Sequence, residues 1–311
     1  MTEAGGATVA VTGATGFIGA AVARRLAGDG WRVRLLARPG SQGRLPLLAG
    51  AQPVIGELTD PPTLQRLLQG AQAVVHCAGA VRGATPGDFE RVNVAALAAL
   101  LDAMDQAGAP RLLHLSSLAA RHPELSHYAA SKRAGERLLV QRLPAARRLI
   151  LRPPAVYGPG DRELRPLLDG MARGLAVLPA PRTGRFSLLH VDDLAALVVA
   201  LLAGTVGWGD IHEPDDGHPG GYDWQQLTAA VAHVSGRRVR TVTVPGGLLA
   251  LLGAANELRA RLFGPSPMLS RGKARELRWL DWVAAGNAGV SGSGWVPRIG
   301  LEQGLRDTFT G

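Results

Sequence analysis

A single cysteine, Cys77, stands among 311 residues, and only two lysines, Lys132 and Lys273, accompany the arginines among its 34 basic residues. One thiol excludes an intrachain disulfide and a cysteine-based metal cluster. Its place at the end of an apolar run reads as an inert, buried group. The scattered histidines show no metal-ligand spacing. His212 and His218 flank an acid- and glycine-rich segment, Pro214 to Gly221, which reads as a flexible, solvated loop. The chain lacks a dense Lys/Arg block and any basic–aromatic alternation. Its net charge of +9 therefore reads as arginine spread over the surface, and no nucleic-acid partner is expected. No basic stretch followed by a long apolar one opens the chain, so no export signal is expected. Leu194 to Ala203 is apolar but too short to span a bilayer. Val244 to Ala255, followed by Arg259 and Arg261, has a composition that suits a membrane surface, but it reads first as a core helix of a second lobe. The expectation is a soluble, cytoplasmic protein without stable membrane insertion or internal repeats.

What the chain does have is alternation. Short apolar runs at Thr8–Val11, Arg32–Leu36, Gln52–Ile55, Ala73–Cys77, Arg111–Leu115 and Arg148–Leu151 read as strands. Helical patterns at Ile18–Asp29, Thr63–Gln69, Pro86–Ala107 and Ser126–Leu143 separate them. Strands without polar alternation, joined by helices, predict a parallel sheet covered on both faces. After Arg152 the punctuation changes to Pro153-Pro154 and Gly158-Pro159-Gly160, then to a further helix over Asp192–Leu202 and a strand near Asp210–His212. The predicted fold is α/β, a doubly wound parallel (Rossmann) sheet with a smaller C-terminal substrate lobe. Residues 1–152 with 186–212 would form the dinucleotide-binding domain, and 153–185 with 213–311 the substrate-binding lobe.

The stretch Ala7 to Gly19 reads as a buried strand, a glycine turn and a helix start. A helix N-terminus offers unpaired amides and partial positive charge, which suit a diphosphate once glycines clear the approach. Gly13 would allow the tight turn, Gly16 the approach to the phosphates, and Gly19 the close packing of helix and strand, with Phe17 and Ile18 opening the helix.

Tyr128-Ala129-Ala130-Ser131-Lys132 is the second informative motif. Residues four apart on a helix share a face, so the phenol and the amine point the same way. A tyrosine ionises near pH 10, and lowering that by about three units takes roughly 4 kcal/mol of differential stabilisation. A neighbouring ammonium and an oxidised nicotinamide are suitable sources. Leu113-His114-Leu115-Ser116-Ser117 ends a strand at the edge where ligands bind, with Ser116 read as a loop or capping residue.

Together with His76-Cys77-Ala78-Gly79-Ala80, Val92-Asn93, the run Arg152 to Asp161 and His190-Val191-Asp192-Asp193-Leu194, these motifs resemble the extended or atypical branch of the short-chain dehydrogenase/reductases. That branch contains nucleotide-sugar epimerases, dehydratases and 3β-hydroxysteroid dehydrogenases. The resemblance implies that Tyr128 exchanges a proton with the substrate oxygen. Lys132 would hold the nicotinamide ribose and lower the tyrosine pKa, Ser117 would orient the substrate, and Pro153 would sit by the carboxamide. Ala78 and Gly79 would border the cofactor, Asn93 would serve as a structural or relay residue, and Asp192 and Asp193 would cap and brace their helix.

An acid at the tip of the second strand would bind the ribose hydroxyls of NAD. Ala37 stands there, followed by Arg38, which suits a 2′-phosphate, so NADP(H) is expected over NAD(H). The family's Gly-Asp-Leu after the third strand is replaced by Gly56-Glu57-Leu58, whose Glu57 and Leu58 would meet the adenine. Asp60 before Pro61 reads as a helix cap. The reaction implied is hydride transfer between nicotinamide and a secondary alcohol or ketone. A nucleotide-sugar epimerase with tightly held NAD(P), and a non-catalytic NADP-binding sensor or assembly subunit, are the alternatives. Trp279 and Trp282 read as packing of the small lobe or a dimer seam. The resemblance further implies a homodimer through the Pro86–Ala107 and Ser126–Leu143 helices.

Overall fold

The central strands of the first half are apolar on both sides, as in β4 and β6, and helices cover both faces of their sheet. The structure, a computed structural model, describes residues 6–108, 111–263 and 269–311. Seven strands form one parallel sheet: β1 (Thr8–Thr12), β2 (Arg32–Ala37), β3 (Gln52–Ile55), β4 (Ala73–His76), β5 (Arg111–Leu115), β6 (Arg148–Leu151) and a short strand at Ile211–His212. Their spatial order, starting from the 211–212 strand, is β6-β5-β4-β1-β2-β3. Every pairing is parallel, with Val9 opposite Val33 and Ala73, and His76 opposite His114. Strand order reverses between β1 and β4. In a doubly wound sheet, that switch point opens a crevice at the carboxyl ends of the strands.

One face is packed by α1 (Phe17–Gly28) and a helix over Val191–Ala203, around a core that includes Val22, Leu26, Leu194 and Leu201. The other carries α2 (Pro61–Leu68), the helical run that begins with α3 (Pro86–Glu90) and continues as α4 (Ala96–Gln106), and α5 (His127–Arg142). Its core includes Leu64, Leu67, Leu100, Met104 and Leu139. Asp60 caps α2 by accepting from the Thr63 amide at 3.1 Å, with proline at the first turn. The predicted helix over Pro86–Ala107 is one run, interrupted by a π-helical turn at Arg91–Ala95 around buried Asn93. Such π turns are enriched at functional sites.

Beyond Arg152, β7 (Ala155–Tyr157) pairs with a strand at Leu188–His190. The remaining segments are α6 (Arg165–Ala172), β8 (Leu175–Pro179), β9 (Arg185–Phe186), the 188–190 strand as β10, the 191–203 helix as α7, the 211–212 strand as β11, β12 (Tyr222–Asp223), α8 (Trp224–Ser235), β13 (Arg240–Val244), α9 (Gly246–Phe263), α10 (Arg271–Arg278), β14 (Asp281–Trp282) and α11 (Leu301–Thr310). Strands β9, β12 and β14 make a small mixed sheet, and β8 pairs in parallel with β13. Tyr157, Leu168, Met171, Leu227, Val231 and Leu305 fill a third core.

Three expectations are corrected here. The acidic part of the Pro214–Gly221 segment is held by the protein, while Gly217, Pro219 and Gly220 are exposed. Buried Asp215 accepts from Ser187 Oγ at 3.1 Å, Asp216 accepts from the Tyr222 hydroxyl at 2.7 Å, and His218 stacks on Tyr222 with ring centroids 4.1 Å apart. His212 is buried in β11. Helix α7 is capped not by its aspartates but by His190, whose Nδ1 accepts from the Asp192 amide at 3.3 Å. Asp193 instead holds the approach to α11, accepting from the amides of Arg298 at 3.0 Å and Ile299 at 2.8 Å. The apolar run expected as lobe core, now the first part of α9, leaves Leu248, Leu251 and Leu252 facing solvent. It packs on α10 instead: a side chain at Gly253 would overlap the Ser270–Arg271 backbone.

Candidate active site

The turn after β1 is built from glycines for steric reasons. Gly13 has φ +76°, and a side chain there would come within 2.6 Å of the Ala78 amide nitrogen. The Gly16 amide donates to Gly13 O at 3.0 Å, and a side chain at Gly19 would overlap the Gly13 carbonyl. Gly16 caps α1 with no side-chain hydrogen bond, and no acidic residue lies in the first turn. The first amides of α1 therefore have no side-chain acceptor. A cradle of this shape and polarity fits a dinucleotide diphosphate. Phe17 and Ile18 pack on the sheet core from the first turn of α1. Arg38, after β2, and Glu57, after β3, are both exposed, while Leu58 packs on the second core. Gly13, Arg38, Glu57 and Ala78 thus stand at neighbouring strand ends of the same edge, where an adenosine and its phosphates would lie.

Next to this cradle, Lys132 is buried and donates from Nζ to Leu115 O at 3.0 Å. Burial draws its pKa down to about 8, against upward pulls from Cys77 and Glu136. A side chain at Gly79 would lie 3.1 Å from Lys132 Nζ and 3.2 Å from Asn93 Oδ1, so this glycine lets the strand end and the amine meet. Asn93 clamps the same loop. Its Oδ1 accepts from the Ala80 amide at 2.7 Å, and its Nδ2 donates to Ala80 O at 3.1 Å and Ser131 Oγ at 2.8 Å. The π turn thereby ties the loop after β4 to the helix that carries Tyr128 and Lys132.

Tyr128 is half-buried one turn before Lys132, and its phenol is hydrogen-bonded to the Ser117 side chain. Burial pushes the phenol up to about 12; Ser117 works in the opposite direction, and the charges of Glu276 and Glu163 add to the rise. The lowering by Lys132 expected from the sequence is absent from these causes. Without a second cation in the cleft, desolvation dominates the phenol. Ser117 also caps the turn at Leu118–Arg121, accepting from the Ala119 amide at 3.2 Å, and Pro153 O accepts from the Leu118 amide at 3.0 Å. Ser117, Tyr128 and Lys132 therefore share one end of the sheet, with Pro153 beside the serine turn. Ser116 points inward and donates to Glu136 Oε1 at 2.5 Å. Burial pushes the Cys77 thiol up to about 12, which favours the thiol over the reactive thiolate. No group of three metal-ligating side chains occurs among the described residues.

Sequence reasoning missed two features. Glu136 is buried between Ser116, Arg152 and Arg133, and Arg152 extends to Glu213, which also pairs with Arg121. The second feature is a histidine stack behind Lys132, with the rings of His76 and His114 5.3 Å apart and 18° from parallel. Burial, reinforced by the Lys132 charge, pulls His76 down to about 3, and His114 falls well below its ordinary 6.5 by burial and by the charges of His76 and Lys132. The unfolded chain binds protons on these rings near pH 6.5, whereas the folded chain keeps them neutral. Stability therefore falls as pH drops from 6.5 toward about 3. Urea midpoints taken between about pH 7 and about pH 4 should decline, and His114→Leu should flatten that decline; an unchanged slope in the variant would exclude the stack as its source.

The doubly wound sheet, its switch-point crevice and the uncapped glycine-flanked helix define a dinucleotide-binding Rossmann protein. The chain belongs to the NAD dependent epimerase/dehydratase family, whose model matches residues 9–207. It is 39% identical over 305 residues to the ceramide reductase of Caulobacter vibrioides, covering 96% of this chain and 92% of that protein. It is 27% identical to the 2-alkyl-3-oxoalkanoate reductase of Stenotrophomonas maltophilia, covering 96% and 97%. The UDP-glucuronic acid 4-epimerase of Bacillus cereus in complex with NAD has the same fold, with a TM-score of 0.74 and 18% identity over 97% of this chain and 96% of that one. The family and these relatives comprise NAD-dependent epimerases and reductases.

Proposed function

We propose that the chain is an NAD(P)H-dependent reductase of a ketone on a long-chain lipid, yielding the secondary alcohol. The observation that carries this reading is the Tyr128 phenol, hydrogen-bonded to Ser117 one helical turn from buried Lys132, at the strand edge that also holds the glycine cradle. The substrate class draws support from the relatives, since a ceramide and a 2-alkyl-3-oxoalkanoate are both built on alkyl chains.

Held by the Gly13–Gly19 turn and Lys132, NAD(P)H would supply the hydride that the carbonyl carbon takes up. Ser117 Oγ and Tyr128 Oη hold the carbonyl oxygen, and Tyr128 gives that oxygen its proton as negative charge develops there. A phenol raised to about 12 keeps its proton at neutral pH, which is the state an acid in the reducing direction needs. The Lys132 ammonium, one turn away, favours the phenolate left behind. Asn93 and Gly79 keep that amine and the loop after β4 in register.

The test is oxidation of NADPH, followed at 340 nm, with ketone-bearing sphingolipid analogues and 3-oxoacyl compounds. Turnover on lipid ketones with release of cofactor supports the reading. Tightly retained cofactor with interconversion of nucleotide sugars would replace it with an epimerase.

The cofactor preference is read from Arg38. With Ala37 buried and no acid at the tip of β2, the exposed guanidinium is suited to a 2′-phosphate. NADPH should bind at least about tenfold more tightly than NADH, and Arg38→Ala should erase the difference, consistent with one charge-assisted contact. Equal affinities measured by calorimetry in the unsubstituted protein would refute the assignment.

A further inference from the structure

Helix α9 displays a row of apolar side chains to solvent. Leu248, Leu251 and Leu252 are 46%, 66% and 45% exposed, and Ala255 continues the row at helical spacing before exposed Arg259. Scattered exposed leucines need no explanation, but a stripe of three on one helix does. Helix α10 packs alongside, and Arg278 lies so close to Gly246 that any side chain there would strike its guanidinium. The end of α10, with Trp279 38% exposed and Leu280 48% exposed, therefore borders the start of α9.

Within the two helices that carry this apolar strip, basic residues outnumber acidic ones, while exposed Asp281 follows Leu280 at its border. Residues 246–280 carry six Lys/Arg (Arg259, Arg261, Arg271, Lys273, Arg275 and Arg278) against two glutamates, Glu257 and Glu276. Glu276 is buried and accepts from Ser126 Oγ and, at 3.1 Å, from Lys273 Nζ. Glu257 Oε1 accepts from the Arg271 amide at 2.8 Å. Both acids are engaged with α10 or the cap of α5, and Arg259 and Arg278 are exposed beside the leucines. Leucines and a tryptophan flanked by cations form the pattern of a segment that lies in a bilayer interface rather than across it. No helix among the described residues is long and apolar enough to cross a membrane.

The geometry points to the α9–α10 hairpin as a docking surface for an anionic lipid bilayer, with the leucines set among the acyl chains and the arginines against phosphate headgroups. The hairpin also touches the catalytic helix. Arg275 Nε donates to Leu125 O at 2.6 Å, and Glu276 holds Ser126, the cap of α5 two residues before Tyr128. Docking there would couple the membrane to the start of the helix that carries Tyr128. That last link rests on the lipid-ketone reading, whereas the docking surface itself does not.

The full chain, with and without NADPH, should be sedimented with vesicles of phosphatidylcholine alone and of phosphatidylcholine with phosphatidylglycerol. Binding is expected to the anionic vesicles and to weaken with added salt. L251E/L252E should lower partitioning at least about tenfold, and R259E/R278E should abolish the preference for anionic lipid. Both variants alter exposed side chains, so their urea midpoints and their turnover of a short, water-soluble ketone should match the unsubstituted protein. Absence of vesicle binding, or equal binding by L251E/L252E, overturns the inference. So does a dimer in solution that L251E/L252E dissociates without any vesicle binding, because a second copy then occupies the face. Vesicle binding with no ketone reduced would retire the proposed activity and leave the surface standing.

Discussion

Tyr128→Phe should lower turnover about 10²–10⁴-fold, the range assigned to one positioned acid–base group, while the dissociation constant for NADPH stays unchanged. The substitution removes one oxygen from a half-buried ring that also lies 6.2 Å, centroid to centroid, from Phe89. Packing is therefore conserved, and the ring keeps its place on α5. The effect should fall on kcat, because the proton is needed as charge develops on the carbonyl oxygen and little in the ground state depends on it. Single-turnover measurement with saturating NADPH isolates the step. Turnover within about tenfold of the unsubstituted protein would mean that the phenol is not the acid, and would return the chain to the non-catalytic, nucleotide-binding reading that the sequence also allowed.

Local features were legible and distant ones were not. The glycine turn could be read because strand, turn and helix start are contiguous, and the physical demand on each glycine is met within a few residues or by the next strand end. Tyr128 and Lys132 could be read because four residues on a helix fix a shared face. The sheet followed from strands such as Ala73–His76, buried along their whole length. Periodicity, however, says that a face is apolar without saying what covers it. That is why Leu248, Leu251 and Leu252 read as core. The π turn at Asn93 leaves no mark in the pattern of Pro86–Ala107, since one extra residue per turn is set by tertiary contacts with Ala80 and Ser131. The phenol's upward shift was also hidden, because desolvation depends on the surrounding protein and not on spacing within one helix. Acidity in the Pro214–Gly221 stretch suggested solvent, yet its aspartates serve as acceptors for Ser187 and Tyr222 from other segments or turns.

Arg152→Met should destabilise the fold by about 3–5 kcal/mol, the cost of leaving buried carboxylates without their partner. Arg152 Nε and Nη2 donate to the two oxygens of Glu136 at 2.8 and 2.6 Å, and Nη1 reaches Glu213 at 3.2 Å. All three side chains are nearly excluded from water. Glu213 keeps Arg121, which also donates to Val283 O at 2.7 Å, so most of the loss should come from Glu136, left with Ser116 and the half-exposed Arg133. Adding Glu136→Met should then restore much of the lost stability, because an apolar pair removes the unpaired charge along with the bridge. Urea midpoints for the two single variants and the double variant measure this coupling directly. The bridge joins the helix of Tyr128 to the strand end at Pro153 and, through Glu213, to the Val283 segment. Turnover in the Arg152→Met/Glu136→Met protein therefore separates two roles for these charges. Recovered stability with lost activity would assign them to aligning the cleft, and recovery of both would assign them to holding the fold. A loss below about 1 kcal/mol in the Arg152→Met protein would show that water or the remaining partners already satisfy Glu136, and that the network braces neither.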